Sequence, residues 1–282
     1  MFRPSPQNRS AAASPNDERR RTVAEHREET LFFQTLRRAL GHPPNAARPA
    51  GDLFPAEPSA EERRLLALVS GRSEQEREEF VSRLAAAARP LHLEVQALED
   101  LAAARDAVLR LVAEKSPEWG GEKQLVAWSH PLIESLGLAE PLARQGIPLH
   151  LTRPVDSALD AAAADEERRR QRSRIAASFI GITAADFCLA ETATVVLRNR
   201  PGEPRSVALL PSIHVALVPR SRILADMKEL FALLRWEERF RTEGLSNYLS
   251  FISGPSKTAD IEATMVHGAH GPREMVVFLV PG

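Results

Sequence analysis

Glu191 stands between the apolar pair Leu189-Ala190 and a β-rich run beginning at Thr194. An ionised carboxylate in such a setting costs energy unless it is paired or hydrogen-bonded. It is therefore a candidate for function, with a structural bond to a neighbouring amide or arginine as the alternative. Asp186 lies five residues earlier, where it could share a site with Glu191 or act as a turn or cap carboxylate. Thr183, just after Gly181, and Thr192 invite the same two readings.

A second polar stretch, Ser253-Gly-Pro-Ser-Lys-Thr258, follows the apolar run Tyr248–Ile252 and is expected to lead into a helix near Ala259. Backbone N–H groups at such a junction bind phosphate or carboxylate. Ser253, Gly254, Ser256, Lys257 and Thr258 thus nominate a site for a small anionic ligand, against an ordinary Gly-Pro turn with a Ser or Thr cap. It is not a Walker A loop, because Ser256 and Phe251 occupy the positions where that motif requires glycine. Asp260 and Glu262 would fall in the first turn of the expected helix, where negative charge suits the dipole.

His214 opens a strand after Pro211-Ser-Ile, whereas His267 and His270 lie in a glycine-rich loop ahead of Arg273. Hydrogen-bonding or proton-transfer roles rank ahead of metal binding, since no His-Glu-x-x-His pattern exists and no metal site is assigned. Cys188, flanked by Phe187 and Leu189, reads as a buried apolar filler rather than a nucleophile. Arg168-Arg-Arg170, interleaved with Asp165, Glu166 and Glu167, reads as a solvated helix face.

These residues need a scaffold, and the rest of the chain supplies one. Residues 1–22 are polar and proline-rich and are read as a disordered tail. An amphipathic helix over Val23–Leu40, a proline-rich linker from His42 to Pro58 and a helix near Glu74–Ala88 form an N-terminal extension, 23–90. From residue 91 to 282, strands at 91–95, 124–128 and 148–151 alternate with helices at 101–114 and 131–144, and a long charged helix follows Asp156. The runs 194–197 and 207–210 read as a hairpin, so the sheet is expected to be mixed. A strand at 214–218, a helix at 222–234 and strands at 248–252 and 274–280 complete an α/β fold flanked by helices.

With 37 basic against 38 acidic residues there is no global attraction for nucleic acid or an anionic membrane. A single cysteine excludes a disulfide framework and a four-cysteine cluster made by this chain alone. No Gly-x-Gly-x-x-Gly fingerprint supports a self-contained dehydrogenase. No apolar run reaches the ~20 residues that span a bilayer. The N-terminus lacks the apolar core of a secretory signal, so a cytoplasmic location is expected.

The order and spacing of Gly181–Thr194, Leu209-Leu-Pro-Ser-Ile-His214, Ser253–Glu262 and His267-Gly-Ala-His-Gly-Pro-Arg273 resemble the LUD-domain family from about Val23 onward, most strongly after Asp165. The resemblance implies the fold shared by ribose-5-phosphate isomerase, glucosamine-6-phosphate deaminase and coenzyme A transferases. It also implies a component of L-lactate utilisation that assists oxidation of L-lactate to pyruvate, with iron–sulfur clusters carried by partner proteins. His214, His270, Asp260 and Glu262 match recurrent family positions, and the family usually has glycine where this chain has Ala193. By analogy with coenzyme A transferases, Glu191 could be a nucleophile or general base in a stand-alone acyl-transfer or sugar-phosphate enzyme. A third reading is an organic-acid-binding scaffold.

Overall fold

The computed structural model describes residues 30–41, 55–118, 120–243, 248–261, 264–268 and 270–282. The expected tail over 1–22, the start of the first helix and most of the proline-rich linker lie outside them. The chain divides into two units, Met1–Glu57 and Pro58–Gly282. In the first, residues 30–39 are helical (α1), and Leu31, Phe32, Leu36 and Leu40 are exposed.

Each long helix of the second unit starts at a residue that can hold its free amides. Ser59 and Ser73 form capping boxes with Glu62 and Glu76 at α2 (Ala60–Ser70) and α3 (Glu74–Ala88). Asp100 caps α4 (Leu101–Glu114). The sequence-based helix at 131–144 is two short ones, α5 (Pro131–Glu134) and α6 (Ala139–Arg144), because Gly137 takes φ +62° between them. Asp160 and Asp226 cap α7 (Ala161–Ala177) and α8 (Met227–Trp236), and α9 spans Glu238–Glu243. Although α2 and α3 fall within the stretch read as an extension ending at residue 90, they pack in the same unit as the sheet.

The strands, in chain order, are β1 (Glu94–Ala97), β2 (Leu125–Trp128), β3 (Leu149–Thr152), β4 (Ile180–Ala184), β5 (Phe187–Leu189) and β6 (Thr194–Arg198). After them come β7 (Ile213–Pro219), β8 (Ile223–Leu224), β9 (Leu249–Ile252), β10 (Lys257–Ile261), β11 (Thr264–His267) and β12 (Glu274–Val280). Six of them form a wholly parallel sheet in the order β1-β12-β7-β4-β2-β3. Its inner strands are buried on both faces, which explains the near-continuous apolar runs of β2, β7 and β12.

The mixed pairing expected from sequence resides in a separate four-stranded sheet, β8-β5-β6-β9. There β6 runs antiparallel to β5 and β9, while β5 and β8 are parallel. The hairpin partner of 194–197 is thus β5, not 207–210. Residues Arg205–Ala208 form a 3-10 turn closed by Pro204 ahead and Pro211 behind. Alternation along this sheet divides its side chains between two cores. Cys188, Val195 and Leu197 join the large core of the parallel sheet, whereas Phe187, Leu189 and Val196 meet Leu230, Leu233 and Phe240 in a second.

Candidate functional site

The first motif is mostly sheet. Residues 180–184, where the glycine-punctuated first motif begins, are buried throughout, and Thr183 is fully buried on β4. Its hydroxyl shares a 2.8 Å hydrogen bond with His214 Nε2 on β7. His214 sits in register beside Gly181, and its Nδ1 is buried with no hydrogen-bond partner among the described residues. Burial alone drives its pKa down to about 3, so the ring is neutral at physiological pH.

The folded pKa lies below the ordinary 6.5, so the native state binds fewer protons than the unfolded chain between those values. Stability from the neutral ring is complete above pH 6.5 and is lost as pH falls toward 3. Urea titrations of the wild type from pH 7 to 5 should show a loss approaching about 1.4 kcal/mol per pH unit from this group. The slope should be shallower in His214→Asn. Equal slopes would show that His214 does not titrate on unfolding.

Just past the carboxyl end of β4, Asp186 accepts a 2.8 Å bond from the Arg198 amide and a 2.5 Å bond from Arg200. Arg200 also holds Glu203 at 3.0 Å. Asp186 is therefore neither a helix cap nor close-paired with Glu191; it fixes the turn after β6. Arg198 is 2% exposed and lies 4.3 Å over the Phe240 ring. His130 faces this group from the carboxyl side of β2, and its pKa is lowered mainly by burial. Sequence reading missed Arg198, Arg200, Glu203 and His130, since no motif links them; the Arg-x-Arg-x-x-Glu spacing was their only local trace.

Glu191 and Thr192 occupy the exposed turn between β5 and β6. Glu191 is thus not the buried carboxylate its neighbours suggest, and among the described residues its side chain makes no hydrogen bond or ion pair. The turn is held by Ala193, fully buried at φ +50° in the left-handed region. A non-glycine residue there costs roughly 1–2 kcal/mol, which the packed turn must offset. Ala193→Val, which adds β-branching, should lose about 2 kcal/mol or more by chemical denaturation, whereas Ala193→Gly should stay within about 1 kcal/mol. Comparable effects of the two would refute a conformational cause.

From that turn a row of hydroxyls runs across to Ser253, which is exposed like Thr192. Thr192 bonds Thr194 at 2.7 Å, and Thr194 bonds Ser253 at 2.7 Å. Gly254, at φ +113°, then packs on Leu91 and Leu93. The expected helix after Lys257 does not form: residues 257–261 are strand β10, which folds back on β11 with an irregular register between Thr258 and Ile261. No helix N-terminus backs the Ser-Lys-Thr stretch, so the anion-site geometry expected from sequence is absent. Lys257 instead donates 2.8 Å to the Leu91 carbonyl and lies 2.7 Å from His92 Nδ1.

Ser256 binds the neighbouring loop, receiving the His270 amide at 3.2 Å on Oγ and donating its own amide to Pro272 at 2.7 Å. His270 is exposed. Thr258 and Asp260 lie in β10 rather than on a helix, and Glu262 lies outside the described residues.

The structure thus joins Thr192, Thr194, Ser253, Gly254, Ser256, Lys257 and the His270 backbone, while Asp186 is bound to Arg198 and Arg200, and Thr183 to His214. Leu91-His92 precede β1 and Pro272 precedes β12, so the joined group lies at the amino ends of those strands. Its chemistry is that of a binding surface: a row of hydroxyls that can donate or accept, and one ammonium with two of its three protons engaged. Cys188 is buried, and burial raises its thiol pKa to about 12. The Arg168–Arg170 face is ion-paired to Asp165 and Glu166 as expected. Among the described residues no group of His, Cys, Asp and Glu is arranged to hold a metal, and no helix is long and apolar enough to cross a membrane.

Lactate utilization protein C of Shouchella clausii is 35% identical over 161 residues, covering 57% of this chain and 63% of that protein. The protein of the same name from Halalkalibacterium halodurans is 33% identical over 150 residues, covering 53% of this chain and 59% of its own length. The match therefore spans less than two thirds of these relatives. A solved DUF162 family protein from Deinococcus radiodurans is 15% identical with a TM-score of 0.41, covering 72% of this chain and 98% of that one. Residues 81–280, from within α3 to the end of β12, match the LUD domain, and the chain belongs to that family.

Proposed function

We propose that this chain is a component of L-lactate utilisation that assists oxidation of L-lactate to pyruvate together with iron–sulfur partner proteins. The observation that carries this reading is family membership together with relatives named lactate utilization protein C. Oxidation of lactate releases an electron pair and protons, and this chain's donor set does not suit a cluster that would take the electrons. Cluster ligation uses several thiolates, whereas the sole cysteine here is buried and protonated. The electrons pass to iron–sulfur centres on the partners. With two protons engaged by Leu91 and His92, the third proton of Lys257 can meet a small carboxylate such as lactate.

Pyruvate formation by purified iron–sulfur partners with an added electron acceptor tests this. Turnover should fall at least about tenfold without this chain and return when it is added back. Turnover indifferent to the chain, or full lactate oxidation by the chain alone, would overturn the division of labour. The exposed Glu191 on its left-handed turn favours one second reading, an acyl-transfer or sugar-phosphate enzyme. On that reading Glu191→Gln abolishes turnover and spares ligand affinity, while normal turnover in the variant removes it.

A further inference from the structure

Beyond β3 a cleft of about 330 Å³ opens, lined by three separate segments: 153–155, the flank of α7, and 200–206. Arg153, Arg168, Arg172 and Arg200 all reach it, and no acidic residue lines it. Two of the four charges are already answered, Arg168 by Asp165 and Arg200 by Asp186 and Glu203. Arg153 and Arg172 have no ion-pair partner among the described residues. Arg168 and Arg172 stand one turn apart on α7 and therefore project from the same face.

The floor of the cleft is held by short bonds between the three segments. Gln171 donates to the Arg153 carbonyl at 3.1 Å, and Thr152 donates to the Gly202 carbonyl at 2.6 Å. The Trp128 indole N–H donates to the Pro204 carbonyl at 3.0 Å. Gly202, at φ +86°, lies so close to Pro154 that an added Cβ would fall 2.6 Å from its ring. Such cross-bracing fixes where the guanidinium groups emerge. The cleft also lies at the carboxyl end of a parallel sheet, the side on which α/β sheets receive ligands. The hydroxyl row and Lys257 lie at the amino ends of β1 and β12, so the two features are separate.

We propose that this cleft binds a small molecule carrying a diphosphate, with Arg153 and Arg172 as its principal contacts and Arg168 in support. A monocarboxylate would occupy one of the two guanidinium groups without an ion pair and leave the other unanswered. Two adjoining tetrahedral anions use several planar donor forks at once. Val155, Ile175 and Pro204 offer an apolar wall for the organic part, and the volume suits such a ligand.

Calorimetry on the full chain at low ionic strength, with pyrophosphate as the probe and orthophosphate and L-lactate as comparators, tests the assignment. Pyrophosphate should bind saturably and more tightly than orthophosphate, with no competition from lactate. Arg153→Gln/Arg172→Gln should weaken it at least about tenfold. Arg169→Gln/Arg170→Gln removes the same charge from residues that do not line the cleft and should leave the affinity unchanged. Should the first pair unfold the protein, Arg172→Gln alone carries the same expectation, since its side chain is exposed. Absence of saturable pyrophosphate binding, or equal weakening in the two double variants, overturns the proposal.

Discussion

Gly181→Ala is expected to lower stability by about 3 kcal/mol or more and to abolish soluble folding near physiological temperature. A Cβ built at this position falls 2.0 Å from the Val207 carbonyl oxygen and 2.9 Å from the Pro211 ring. The 3-10 turn at Arg205–Ala208 lies directly on β4, and its closest atom is rigid backbone rather than a side chain that could rotate away. β4 is an inner strand paired with β2 and β7, so it cannot retreat without opening the sheet. Gly121→Ala provides the control, since nothing lies within 4 Å of its Cβ position. Similar melting temperatures for the two variants would show that the turn yields.

Arg72→Ala is expected to cost about 3–5 kcal/mol in urea or thermal unfolding. Arg72 lies between α2 and α3, and its guanidinium bonds Glu229 at 2.7 Å and the Ile223 carbonyl at 3.0 Å. The two charged side chains are only 7% and 8% exposed, so removing one leaves the other's charge buried without its partner. The guanidinium also lies 4.3 Å over the Phe80 ring. Arg72→Met/Glu229→Met should recover part of the loss, although Glu229 also receives the Ala225 amide at 2.8 Å and that bond is not restored. A loss under about 1 kcal/mol in Arg72→Ala would place the pair in the class of screened surface bridges.

Elements whose apolar pattern is long were legible in the sequence. The run Glu274–Val280 is a strand with the expected limits, and the charged helix over α7 follows its acidic and basic spacing. β4 and β5 were not legible, because Gly181 and Thr183 are present for reasons of distant packing. Gly181 admits the Val207 carbonyl, and Thr183 answers a histidine on the next strand. Val207-Ala-Leu-Leu210 shows the opposite failure, an apolar run that bends into a 3-10 turn because prolines flank it.

Within the site, the glycine usual in the family at the position of Ala193 was a legible sign of the turn, whose φ is +50°. Glu191 was not, since local hydrophobicity cannot show that a turn lifts a residue to the surface. Lys257 was expected beside a helix terminus and instead opens strand β10 next to the left-handed His92. The Arg153–Arg172 cleft could not be read at all, since its members meet only after β3 and α7 have folded against each other.

The order of strands also sets a timetable for synthesis. Glu94 on β1 lies against Val276 on β12, and β12 is inserted between β1 and β7. A chain leaving the ribosome exposes β1 first among the sheet's six strands, yet among the described residues β1 pairs with the last of them, β12. β7 likewise waits with one edge open. During vectorial synthesis β7, β4, β2 and β3 can pair with one another before β12 is made, and the apolar edge of β7 stays unpaired until it arrives.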